Sequence, residues 1–370
     1  MNCGTVVPSG TVVPSGTVVP SGTVVPSGTV VPSYLSIAGL GVRLTCNDGH
    51  LTDALQRRYS EFPQTGETRL EAAVLLAGSG GTVVPSGTVV PSGTVVPSGT
   101  VVPSGTVVPS GTVVPSGTVV LERASALQNV GATFLEGVLH FTASGYTGWV
   151  DVRKGQAQLL LSSAQPVEEV DYFLRVVYAL LVFEAGGLLF HAAGIARKGK
   201  AYVFFGHSGA GKTTVARLSP EDIVLNDDLV VLLPHPQPRS SSWMVYATPF
   251  WNPTQIRPSA QNAPLGGLFR LVQAREVFVE QLSLAQALAE LFSNVPVIPD
   301  DPTRRLRLLE RCEGLLIDVP AHRLHFLPDA SFWQAVEAVS RVGTTVPLGT
   351  TVPLGITIPP SPTAWGDDRR

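Results

Sequence analysis

Lys212 and Thr213 end the run Gly206-His207-Ser208-Gly209-Ala210-Gly211-Lys212-Thr213, which has the spacing of a phosphate-binding loop, G-x-x-x-x-G-K-[ST]. Each residue type serves its own chemistry. The glycines let successive backbone N–H groups turn inward onto phosphate oxygens, and a helix starting where the loop ends adds partial positive charge. The Lys212 ammonium neutralises the outer phosphates, and the Thr213 hydroxyl, with Thr214 beside it, offers oxygen to Mg²⁺. The expected ligand is ATP with magnesium. Lysine is scarce, Lys154, Lys198, Lys200 and Lys212 being all that the chain has, so its presence at this one spacing is informative.

Shortly after the loop, the apolar Ile223-Val224-Leu225 leads into Asn226-Asp227-Asp228. Two adjacent acids beside bound phosphates can divide the work, one toward Mg²⁺ and the other toward the proton of an attacking hydroxyl. The same three residues are also good turn composition. His191 ends the apolar Leu188-Leu189-Phe190 and is the third candidate.

These residues need elements to hold them. Ala201–Phe205, apolar and aromatic, reads as a buried strand entering the loop, and Thr213–Leu218 as the helix leaving it. The basic turn Arg197-Lys198-Gly199-Lys200 reads as a hairpin joining that strand to the one carrying His191. His191 is thereby expected at the sheet end where Gly206 begins, facing phosphate. Ile223–Leu225 reads as a strand that delivers the acids. Phe173–Phe190, broken by Gly186-Gly187 and carrying Arg175 and Glu184, reads as a buried helix and turn and not as a membrane span.

The succession His191-Ala192-Ala193-Gly194, Gly206-x-Ser208-Gly209-x-Gly211-Lys212-Thr213, Asn226-Asp227-Asp228 resembles the catalytic domain of HPr kinase/phosphorylase, over about Val170–Ala338. The resemblance implies an α/β fold, a P-loop kinase domain of the HPr kinase and phosphoenolpyruvate carboxykinase type, and Mg²⁺-dependent transfer from ATP to a serine-type hydroxyl. It implies that Lys212 and Thr213 hold phosphate and metal, that Asp227 and Asp228 serve as base and metal ligand, with Thr213 and Asp228 as the metal pair, and that His191 supports the phosphate charge. The residues themselves fit either division of roles between the two acids. Thr213-Thr214 stands where the family commonly has Ser-Glu, and no Glu- and Arg-rich motif follows the acids. The resemblance is therefore to short HPr-kinase-like proteins, with a protein, peptide or small-molecule hydroxyl as acceptor, and it allows a homo-oligomer. A nucleotide-sensing protein without transfer activity is the alternative. A GTPase and a transport ATPase are disfavoured, because Asn-Lys-x-Asp and Ser-Gly-Gly-Gln are absent.

A net charge of −3 gives no basic footprint for nucleic acid or anionic membrane. Cys3, Cys46 and Cys312 are odd in number and far apart, and no basic leader precedes an apolar core, so a reducing cytoplasm is expected. Copies of Gly-Thr-Val-Val-Pro-Ser run five times from Gly4 to Ser33 and again from Gly81 to Val120. Uncharged and punctuated by proline, they read as linker in preference to a β-solenoid. The expected organisation is repeat over 1–33, the start of the core over 34–80, a repeat insertion over 81–120, the P-loop domain over 121–342, and a degenerate repeat and tail over 343–370.

Overall fold

The computed structural model describes residues 32–63, 67–76, 131–143, 146–161, 165–235, 243–251, 255–296, 302–342 and 352–353. The chain divides into two units, Met1–Val119 with Arg123–Val177, and Val120–Glu122 with Tyr178–Arg370. The two units meet along the chain between Val177 and Tyr178. The first two repeat blocks lie outside the described residues except for Pro32 and Ser33, and the choice between linker and solenoid lies outside them too.

The first unit is a seven-stranded sheet in the order β1-β2-β3-β7-β6-β5-β4. β1 (Ser33–Ile37) and β2 (Leu40–Cys46) form a hairpin across Ala38-Gly39, both at positive φ (56° and 77°). That pair of left-handed residues suits the twist of two antiparallel strands. Helix α1 (Gly49–Arg58), capped by the Asp48 carboxylate on Leu51 N at 2.8 Å, crosses to β3 (Thr68–Leu76), which pairs parallel with β2. The remaining strands arrive after the repeat insertion. β4 (Gly131–Leu135), β5 (Val138–Ala143), β6 (Tyr146–Asp151) and β7 (Gln156–Leu161) form an antiparallel meander, and β7 joins β3 in parallel. That one pairing is the reason residues 131–161 belong with 33–76. Helix α2 (Pro166–Glu184) follows, its residues through Val177 counted with the first unit.

The second unit centres on a closed ring of strands. β8 (Leu188–Arg197) pairs with β11 (Leu229–Pro234), β11 with β12 (Trp243–Tyr246), β12 with β13 (Asn262–Gln273), β13 with β9 (Lys200–Phe205), and β9 with β8. Closure leaves the run Leu229–Leu233 buried throughout, as its unbroken apolar sequence requires. β10 (Ile223–Asn226) adds to the far half of β8. On the other side, β15 (Ala321–Phe326) runs parallel to β13, with β14 (Phe278–Gln281) and the short β16 (Val352–Pro353), from the degenerate repeat, beyond it. Helices α3 (Lys212–Arg217), α4 (Leu284–Ser293), α5 (Pro302–Asp318) and α6 (Phe332–Val342) complete it. Phe204, Phe269, Phe326, Phe332 and Trp333 form one buried cluster with Val215 of α3, and the Trp333 indole N–H donates to Ser219 Oγ at 2.9 Å. The base of the glycine loop thus rests on aromatic packing. No helix among the described residues is long and apolar enough to cross a membrane.

Candidate functional site

The loop from Gly206 to Gly211 links β9 to α3. Gly206, Gly209 and Gly211 have φ of 148°, 78° and 111°, conformations that side-chain-bearing residues rarely adopt. At Gly211 space is short as well, since a Cβ there would stand 2.5 Å from Phe326 Cζ. Ala210 is buried, while His207, Ser208 and Gly209 form the exposed crest, with His207 Nδ1 2.7 Å from Ser208 O. Lys212 is buried and donates from Nζ to Gly206 O at 2.8 Å and His207 O at 3.4 Å. Its ammonium lies within the loop whose phosphates it was expected to meet. Thr213 and Thr214 follow, half-buried, on α3. From the neighbouring strand, Gln273 Nε2 donates to Gly209 O at 2.8 Å and steadies the crest.

The hairpin of β8 and β9 turns at Lys198-Gly199, both left-handed, and its register pairs Ala192 with Phe205. His191 therefore sits level with Gly206. On its other side β8 pairs His191 with Leu229, so the start of β11 brings Asp228 alongside, with His191 Nε2 3.0 Å from Asp228 Oδ1. The His191 backbone N–H donates to Asn294 O, at the end of α4, at 2.7 Å.

Asp227 and Asp228 have different surroundings. The Asp227 side chain is 1% exposed, and neither carboxylate oxygen has a hydrogen bond of good geometry. Burial lifts its pKa above the ordinary aspartate value; the nearby Thr213 hydroxyl opposes that shift, and the Asp228 charge adds to it. Thr213 and the Ile256 backbone thus lie close enough to favour the charged form without forming a well-aligned bond. A carboxylate so placed is costly until a cation or donor reaches it.

Sequence reasoning named Asn226 only as a turn former. In the structure it holds the acidic corner in place. Its Oδ1 accepts from Asp228 N at 2.7 Å and Leu229 N at 2.9 Å, while its Nδ2 donates to Thr248 O at 3.0 Å and Phe250 O at 3.1 Å. Thr248 Oγ1 donates to Leu229 O at 2.7 Å, closing the arrangement from the other side. The preference of Asn for local backbone bonding is the signal that announced it. Nothing in the sequence announced Gln273 or Phe326, whose roles depend on strand order.

The structure thus brings together Gly206–Thr214, His191, Asp227 and Asp228. Thr213 faces Asp227 and His191 faces Asp228. Among the described residues no group of three or more His, Cys, Asp and Glu could by itself hold a metal ion.

Compared with known proteins, the chain matches no curated protein. Residues 164–341 match the family model described as SynChlorMet cassette protein ScmC, and no HPr kinase family model matches. This corrects the family drawn from His191-Ala192-Ala193-Gly194, the glycine loop and Asn226-Asp227-Asp228. Those motifs cover only a few residues each, whereas the match is made over the whole of 164–341, which contains every candidate site residue.

Proposed function

We propose that the second unit binds ATP with Mg²⁺ through a P-loop and transfers the γ-phosphoryl group to a hydroxyl acceptor. The observation that carries this reading is the buried, unpartnered Asp227 carboxylate beside Thr213, at the mouth of a loop whose Lys212 is already turned inward. A hydroxyl and a carboxylate are hard oxygen donors of the kind Mg²⁺ takes, and Mg²⁺ commonly completes its shell with phosphate oxygens and water. Thr213 and Asp227, in preference to Asp228, are the residues that would hold it. Bound there, it would neutralise charge on the phosphates and relieve the Asp227 burial penalty.

The remaining roles follow from position. Loop N–H groups and Lys212 hold the phosphates. Asp228, more accessible than Asp227 and paired with His191, accepts the proton of the attacking hydroxyl, and the imidazole stabilises the resulting charge arrangement. Asn226 keeps the two acids pointing to their separate partners. A hydroxyl is the acceptor class that needs such a base, so the product is a phosphate ester, stable to acid. A protein, peptide or small molecule bearing that hydroxyl is the partner.

The test is Lys212→Ala with [γ-³²P]ATP. Binding of ATP should weaken strongly and transfer should fall by about 10³-fold or more, since a point charge at the outer phosphates is not replaced by backbone N–H groups. Wild-type transfer in that variant, or an acid-labile labelled product from the native protein, would sink the assignment.

A further inference from the structure

The proposed site lacks positive charge. Bound nucleotide carries more negative charge than one magnesium ion neutralises, and the site adds Asp227 and Asp228 against Lys212. Phosphoryl transfer is promoted chiefly by cations and donors set around the moving group. A further cation should therefore face this corner from an element that sequence motifs do not mark.

The segment 255–261, between β12 and β13, supplies one. The Ile256 backbone lies against the Asp227 carboxylate, and the Ile256 side chain packs on the aromatic core. Pro258 is buried, and Ser259 N donates to Val224 O at 3.0 Å, two residues before Asn226. The backbone is therefore pinned on both sides of Arg257, and the following proline restricts Arg257 to extended conformations. Arg257 is exposed between these anchors. Its Cα lies one peptide, about 3.8 Å, beyond that of Ile256, so its side chain starts at the rim of the acidic corner.

We propose that Arg257 is a catalytic residue whose guanidinium contacts the γ-phosphoryl oxygens during transfer; this rests on the MgATP reading above. The bond from the acceptor oxygen to phosphorus forms as the bond from phosphorus to the β–γ bridging oxygen breaks. The acceptor's proton passes to Asp228, and ADP leaves with the bridging electron pair. The Arg257 guanidinium binds the equatorial oxygens more strongly as their charge spreads. Its planar fork suits two oxygens at once, which a lysine does not match.

Calorimetric titration with Mg·ADP, alone and with aluminium fluoride as a mimic of the transferring group, tests this without knowledge of the acceptor. The native protein should bind the aluminium fluoride complex about tenfold or more tighter than ADP, in keeping with what arginines supply in phosphoryl transfer. Arg257→Ala should lose that surplus while keeping its ADP affinity. Arg257→Lys should recover little of it, and added guanidinium at millimolar levels should restore part of it to the alanine variant. If the surplus is absent in the native protein or survives in Arg257→Ala, the role of Arg257 is overturned. If the native protein fails to bind ADP at all, the phosphate-loop reading falls, and Arg257 with it.

Discussion

The two units each bury an aspartate, and the two are treated in opposite ways. In the first, Asp171 on α2 is 6% exposed and fully engaged. Arg58 Nε donates to its Oδ1 at 3.0 Å, the second Arg58 nitrogen reaches Oδ2, and the Tyr59 hydroxyl donates to Oδ1 at 2.6 Å. In the second, Asp227 is 1% exposed and has no well-formed bond. A buried charge is tolerated when paired and bonded, so Asp171 reads as a fastening of α2 to the end of α1. An unpaired one lowers the stability of the free protein, and a chain that retains it has some other use for it.

Three changes bear on this contrast. The largest effect on stability belongs to Asp171→Ala, which leaves the Arg58 guanidinium and the buried Tyr59 hydroxyl without their acceptor. The cost should be about 3–5 kcal/mol, read from denaturant unfolding of the full chain. A cost below about 1 kcal/mol would mean that the fastening is no stronger than a surface pair.

Asp227→Asn should act in the other direction. Because burial raises the Asp227 pKa in the folded protein, the folded state binds the proton more tightly than the unfolded chain does. The associated stability is complete below the ordinary value of 3.8 and is lost as pH rises through the raised value. At neutral pH without nucleotide, the asparagine variant should therefore be more stable than the native protein, by about 1–2 kcal/mol, a melting shift of a few degrees. That gain should shrink to nothing as pH falls toward 3.8, while the proposed Mg²⁺-dependent ATP binding should be lost at every pH. A destabilised variant at neutral pH would show that Asp227 has a structural partner after all.

The smallest effect is expected from deletion of residues 81–120. Loop closure depends only logarithmically on length, so shortening the β3–β4 connection nearly fourfold should change stability by about 1 kcal/mol, and the proposed ATP affinity should not change. Loss of soluble protein on deletion would instead point to a packed repeat structure.

Much of the site could be read from local sequence because its parts are local. β9, the glycine loop and α3 are contiguous, Lys198-Gly199 makes the hairpin, and hairpin register alone carries His191 to Gly206. The pairing of His191 with Asp228 and the exclusion of Asp227 from it required β11 beside β8, a non-local fact. The first unit was largely illegible for the same reason. Its strands bear no chemical motif, and the one pairing that unites its two halves, β3 with β7, reaches across the repeat insertion. The boundary at Val177 is hidden in a helix with no change of composition.

The parallel pairing of β3 with β7 also sets a schedule for synthesis. Between Leu76 and Gln156 lie about eighty residues, which a ribosome adds in about 4–16 s. For that interval the edge of β3 that will receive β7 has no partner, and the first segments to emerge beside it are β-prone Thr-Val-Val runs. Each run is cut short by a proline, which has no N–H to give to a ladder. The repeats are therefore poor substitutes for β7, and the edge is left for the strand made last.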